Sequence, residues 1–141
     1  MDLNQARDLL LEHARNPRNL LSQGAALPNG VLRGECRNPL CGDFVRVHLQ
    51  VSRVVETVAL EVQGCTICTA SASLMGEHIR GLSPEEIEDL RQRFADSLIA
   101  SEGEPWPALL EGFRAFSHLR VNPARVPCAL IPWYALKEAL A

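Results

Sequence analysis

The stretch Val45-Arg46-Val47-His48-Leu49-Gln50-Val51 alternates apolar and polar residues with a period of two. Successive strand side chains point to opposite faces, so this pattern belongs to a strand with one face in the core and one in water. After a short turn around Ser52-Arg53, Val58, Leu60 and Val62 repeat it. Upstream, Val31-Leu32-Arg33-Gly34-Glu35 offers a weaker strand, preceded by the turn signal Asn29-Gly30. Together they predict a three-stranded antiparallel sheet with one wet face.

Outside this region the period becomes helical. Leu3, Ala6, Leu9, Leu10 and Ala14 fall on one helical face. Asn16-Pro17 ends that helix, because the residue before proline is pushed out of the α region. Residues 19–30 read as loop. Beyond the strands, a helix through about 67–80 can stop at Gly81, a natural C′ residue. Ser83-Pro84-Glu85-Glu86 then supplies an N-cap, a proline at N1 and a capping-box glutamate at N3. Ile87, Leu90, Phe94 and Leu98 continue this helix at spacings of three and four. Residues 101–107 read as a linker, 107–116 as a short helix, and 129 to the end as the last helix. The order predicts one α+β domain over residues 1–141, with helices on one face of a small sheet.

With 141 residues the chain can bury a sizeable core, and a net charge of −3 gives no electrostatic reason to expect nucleic acid. No run approaches the ~18 apolar residues that span a bilayer. The N-terminal residues carry charges inside their apolar pattern, unlike a signal peptide. The expectation is a cytoplasmic protein without membrane contact. Five cysteines, an odd number in a reducing compartment, argue against a disulfide framework and for metal or thiol chemistry.

Three of those cysteines sit at predicted element ends. Cys41 lies in the tight loop Asn38-Pro39-Leu40-Cys41-Gly42-Asp43. Cys65 follows Gly64 at the strand-to-helix junction, and Cys128 comes just before the last helix in Val126-Pro127-Cys128-Ala129. At such positions side chains can converge without being built into the core. Two of the three precede helix N-termini, whose positive dipole end favours thiolate over thiol. Three thiolates and a carboxylate suit a tetrahedral divalent ion such as zinc. Asp43, two residues from Cys41 with Gly42 between, is the natural fourth ligand. Such a centre carries a formal −2, and Arg125 stands close enough in sequence to Cys128 to offset part of it.

Plainer readings stand beside these. Cys65-Thr66-Ile67-Cys68 is a C-x-x-C pair, which alone suggests a redox dithiol or half of a zinc site. The three cysteines could be unrelated buried thiols. Asp43 suits a turn for its own backbone bonding, and Arg125 suits a solvated surface. His13, His48, His78 and His118 read as structural or exposed, with His48 on the polar strand face. Trp106 and Trp133 read as packing residues.

Several motifs, taken in order, resemble one family. They are His13-x-x-Asn16-Pro17-Arg18-Asn19, Asn38-Pro39-x-Cys41-Gly42-Asp43, and Gly64-Cys65 with Ala70-Ser71-Ala72-Ser73. Pro123-Ala124-Arg125-Val126-x-Cys128-Ala129 and Trp133 complete the set. The family is that of the IscU/SufU/NifU proteins of iron–sulfur cluster assembly, and the resemblance runs over nearly the whole chain. It is nearest the SufU branch: Pro127 stands where the IscU branch has a histidine, and residues 101–119 resemble an extra SufU-type segment. Asn122-Pro123-Ala124-Arg125-Val126 replaces the Leu-Pro-Pro-Val-Lys that a chaperone reads in the IscU branch.

The resemblance implies zinc on Cys41, Asp43, Cys65 and Cys128. It implies a sulfur acceptor and relay, sulfurtransferase-like rather than a stand-alone enzyme. The sulfur would come as persulfide from a PLP-dependent cysteine desulfurase of SufS type. Cys41, on its glycine-containing loop, is the expected acceptor, with Cys128 the alternative. The other reading within the family is an IscU-like scaffold, on which the same four residues hold Fe²⁺ or a [2Fe–2S] cluster for downstream assembly proteins. A zinc-stabilised interaction module without sulfur chemistry is a third. Cys36 and Cys68 match no family position; both are expected to be dispensable, with Cys68 a satellite thiol.

Overall fold

The alternating stretches form the sheet. In the computed structural model, which describes residues 1–141, β1 (Leu32–Arg37), β2 (Phe44–Val51) and β3 (Val55–Gln63) pair antiparallel in that order. The register sets Gly34 opposite Val47 and Val47 opposite Leu60. Every second residue therefore shares a face, and Val45, Val47, Leu49 and Leu60 are all buried there. Arg33, Glu35, Arg46, His48 and Glu61 occupy the other face. β1 runs two residues past its expected end, to Arg37.

His48 lies on that polar face, yet only 3% of it is exposed. Its Nε2 is 2.7 Å from Glu61 Oε2, and Arg33 Nε approaches its Nδ1 at 3.4 Å. This contact and the nearby guanidinium of Arg46 hold the Glu61 carboxyl below its usual pKa. Leu27 and Pro28 of the predicted loop reach the same spot, lining a small cavity with His48 and Ala59. Nor is residue 20 free of the sheet. Leu21 N–H donates to Leu60 O at 2.8 Å, and Leu60 N–H donates to Asn19 O at 2.8 Å, bracing the edge of β3.

Local capping explains the first helices. α1 (Leu3–Arg15) starts on a capping box between Asp2 and Gln5 and stops at Asn16 before Pro17. α2 (Thr66–Ile79) is followed by Arg80 and then Gly81, whose φ of +82° is the left-handed value that glycine tolerates. α3 (Pro84–Leu98) carries the Ser83/Glu86 capping box. The motif His13-x-x-Asn16-Pro17-Arg18 joins α1 to α2. Ser73 Oγ lies 2.7 Å from His13 Nδ1 and accepts from Arg18 N–H at 3.0 Å, so its hydroxyl proton is left for the imidazole. Burial, with Arg18 adding to it, holds His13 below its ordinary pKa, which keeps the imidazole the acceptor of that bond.

Two expectations change. Residues 108–121 (Ala108–Val121) form a 3₁₀ run interrupted at Leu110, instead of a short α-helix over 107–116. The last helix, α4 (Val126–Ala139), starts three residues before the expected 129. Proline is well tolerated in a first turn, where its missing N–H has no partner to lose, so Pro127 opens this helix and does not merely precede it. Cys128 is thus the third residue of α4 and only 6% exposed, where the sequence reading left it outside the core.

α4 lies on β1 and β2, α2 on β3 and α4, and α1 on α2, so the helices cover one face of the sheet. Trp133 is fully buried against Phe94 and Phe113, while Trp106 Nε1 donates to Leu110 O at 2.6 Å, which makes both tryptophans packing residues. Ser71 Oγ donates to Ala129 O at 2.6 Å and ties α2 to the start of α4. Gly34 permits the close seat of α4. A Cβ there would stand 2.2 Å from Ala135 O and 2.3 Å from Ala139 N, both backbone atoms that cannot swing aside. Gly34→Ala should therefore shift α4, at a cost of about 2–3 kcal/mol by the scale of overpacked cores. A thermal melt checks this; an unchanged midpoint would mean that α4 adjusts freely.

Candidate metal centre

The loop before β2 leaves one residue at its exposed tip and folds the other inward, with their side chains in contact. Asn38 N–H donates to Asp43 O at 2.8 Å, Gly42 N–H to Asn38 O at 2.9 Å, and Leu40 N–H to Asn38 Oδ1 at 3.1 Å. Gly42 takes φ +75°, which lets the chain reverse between Cys41 and Asp43. Cys41 is left exposed at the tip, beside a Leu40 that is 96% exposed, while Asp43 turns inward and is 2% exposed.

Asp43 then organises the start of α2. Its Oδ1 accepts the Cys65 N–H at 2.9 Å, and Cys65 is the N-cap of the helix. Its Oδ2 lies 3.0 Å from Cys41 Sγ and 3.8 Å from Cys65 Sγ. From α4, Cys128 closes the group: its sulfur, Cys41 Sγ and an Asp43 oxygen all lie within 4.8 Å of one another. Loop and last helix thus bring Cys41, Asp43 and Cys128 together, while Cys65, outside that group of three, meets the carboxylate alone at 3.8 Å.

The electrostatics are those of a site short of positive charge. Asp43 is the buried carboxylate of the chain, and its partners are one backbone N–H and thiols, with no basic side chain among them. Burial, with Cys65 and Asp43 nearby, pushes the Cys128 thiol up to about 12. A divalent cation inverts this logic, because a coordinating thiol loses its proton outright. Two soft sulfurs and one hard oxygen within 4.8 Å of one another, with a third sulfur 3.8 Å from the carboxylate, are a donor set that suits a divalent metal such as zinc. Arg125 is exposed and takes part in none of the ion pairs.

The other two cysteines differ in placement. Cys36 lies in β1 opposite Val45, half-buried at the edge of the core, where burial raises its pKa. Cys68 lies beside the cluster and outside its group of three. It is fully buried at the third position of α2, its backbone N–H points to Cys65 Sγ at 3.5 Å, and burial and then Asp43 push its pKa far up. The signal was present in the C-x-x-C spacing: with Cys65 as N-cap, the second cysteine must fall in the first turn.

An α+β domain whose single-sided sheet carries two thiols and a carboxylate clustered beside a cysteine N-cap of its second helix is a defined class. The chain belongs to the NifU-like N-terminal domain family, whose model matches residues 5–105. It is 30% identical over 136 residues to the zinc-dependent sulfurtransferase SufU of Bacillus subtilis, covering 96% of this chain and 88% of that protein. It is 37% identical over 108 residues to the iron–sulfur cluster assembly scaffold protein IscU of Thermotoga maritima, covering 75% of this chain and 74% of that one. A crystal structure of a putative SUF-system scaffold protein from Fervidobacterium islandicum superposes with a TM-score of 0.82 over 95% of each chain; at 24% identity it speaks for the fold alone. Cys128 lies beyond the family match, and its place in the centre comes from the packing of α4.

Proposed function

We propose that this protein is a sulfur acceptor and relay in iron–sulfur cluster assembly, with zinc on Cys41, Asp43, Cys65 and Cys128. The partner is a PLP-dependent cysteine desulfurase of SufS type. Zinc, when bound, supplies the charge that keeps the ligand thiols deprotonated and ordered. Cys41 is the acceptor. Its sulfur attacks the terminal sulfur of the desulfurase persulfide, one S–S bond forms as the other breaks, and the desulfurase cysteine leaves as thiolate. Without metal the Cys41 thiol donates to Asp43 Oδ2 at 3.0 Å, a bond that gives way when both become ligands. Arg125, exposed just ahead of α4, is free to balance the negative charge of the centre. Five free cysteines and a chemistry that needs reduced thiols fit a reducing cytoplasm.

The observation that carries this reading is the exposure of Cys41. It is the solvent-exposed thiol of the cluster, at a loop tip that a partner's persulfide can reach, whereas Cys65 is half-buried and Cys128 buried. Pro127 favours the zinc relay over the scaffold, since proline offers neither a ligating nitrogen nor an N–H at the position before Cys128. Metal analysis of freshly purified protein separates the two. The relay predicts about one zinc per chain and a colourless solution, in keeping with a closed four-ligand site. A brown preparation with iron and sulfide would make the cluster the cargo and the protein a scaffold passing it to downstream assembly proteins.

A further inference from the structure

Away from the metal centre, a cavity of about 280 Å³ opens between the end of α2, the first half of α3 and the 3₁₀ run. Its apolar lining includes Leu82 and the buried Leu90 and Phe113. Leu109 also lines it, with 58% of its surface in water. His78 is fixed as part of the wall. Its Nδ1 donates to Leu74 O at 2.7 Å, and its ring centroid lies 4.6 Å from that of Phe113. Nε2 is turned to the bare side of Gly112, where a Cβ would stand 2.2 Å away. The remaining lining is two carboxylates, Glu86 and Asp89, with no arginine or lysine among them. Glu86 Oε1 accepts the Ser83 N–H and Asp89 Oδ2 meets Arg93 in an exposed pair, so each carboxylate keeps its other oxygen open.

We propose that this cavity seats an arginine or lysine side chain from an extended segment of a partner protein, whose neighbouring apolar residues cover Leu109. At about 280 Å³ it falls just short of pockets that enclose a whole cofactor, and it suits one long side chain. Such side chains lay their aliphatic stems on apolar surface while the charged head stays among polar groups. Here the stem lies along Leu82, Leu90 and Phe113, and the head meets the open oxygens of Glu86 and Asp89. A purely apolar occupant would desolvate two carboxylates without a counter-charge, and an acidic one would be repelled. The helix sets the distance from the chemistry. His78 stands in the last turn of α2, about 18 Å along the axis from the end that Cys65 caps. A partner seated here leaves the Cys41 loop open to a second protein. None of these residues belongs to the metal centre, so the binding is expected with or without zinc.

Peptide titration followed by nuclear magnetic resonance on the whole ¹⁵N-labelled chain tests this. The probe is an acetylated and amidated leucine–arginine–leucine peptide, and its control carries norleucine in place of the arginine. The amides of Leu82, Leu109 and Phe113 should shift with the probe, and the control should bind about fivefold more weakly. Glu86→Gln/Asp89→Asn should bring the probe down to the level of the control. Glutamine serves at N3 of a capping box as glutamate does, so α3 keeps its start. Leu109→Ser, at a side chain too exposed to carry the fold, should weaken both peptides by about tenfold. Equal binding of probe and control, or of the probe to wild type and the charge variant, would make the cavity a plain apolar crevice and overturn the proposal. Shifts confined to other surfaces, or none at millimolar peptide, would overturn it as well. Concentration-dependent broadening at Leu109 without peptide, abolished by Leu109→Ser, would give the seat to a second copy of the chain and overturn the choice of occupant.

Discussion

Cys41→Ala should return a cysteine desulfurase of the partner type to its unaided turnover, even with zinc still bound to the variant. Sulfur relay by a covalent persulfide has no substitute once the accepting sulfur is gone, so the loss in relayed sulfur should be about 100-fold or more. The loop geometry makes the effect specific. Cys41 is exposed, and its side chain supports the fold through one bond to Asp43, so the variant should melt close to wild type. Desulfurase assays with zinc-loaded wild type and variant, read alongside thermal melts, check this. Full stimulation by the variant would move the acceptor role to Cys128. No stimulation by wild type would leave only a zinc-stabilised module.

The second large effect concerns Asp43 and has opposite signs in its two arms. Asp43→Asn keeps an oxygen to accept the Cys65 N–H, now 2.9 Å away, but removes the charge. Zinc affinity should fall on the order of 100-fold, at the upper end of what partners of a metal site contribute. The zinc-dependent rise in melting temperature should shrink accordingly. In metal-free protein the result reverses. There the buried carboxylate has thiols and one N–H for company and no cation. Replacing it by a neutral amide should leave stability equal or raise it by about 1–3 kcal/mol. A turn residue with no metal role would show neither zinc effect.

What was legible in the sequence was local. The alternation at Val45–Val51 and the capping box at Ser83–Glu86 are each written within a few residues, and both elements stand where expected. Cys41 and Asp43 share one loop, Gly64-Cys65 marks a strand-to-helix junction and Cys128 stands by the last helix, so all four candidate ligands are named from short stretches. The packing that buries Cys128 inside α4 is not legible there. It depends on α4 lying against the backbone of β1, which the absent side chain of Gly34 permits, and no periodicity states that contact. Pro127 hid the true start of α4 because proline both ends helices and opens them. The direction of Cys68 depends on which residue caps α2, and the structure gives that place to Cys65. His48 followed its strand to the polar face, but alternation cannot show that residues 27 and 28 would fold over it.

The central claim is that three sulfurs and one carboxylate oxygen from residues 41, 43, 65 and 128 surround a single cation. X-ray absorption fine structure at the zinc edge of the purified, zinc-loaded protein measures that shell directly. The account predicts about three sulfur neighbours near 2.3 Å and one oxygen near 2.0 Å. A shell of nitrogen and oxygen alone, or one holding a single sulfur, would contradict it.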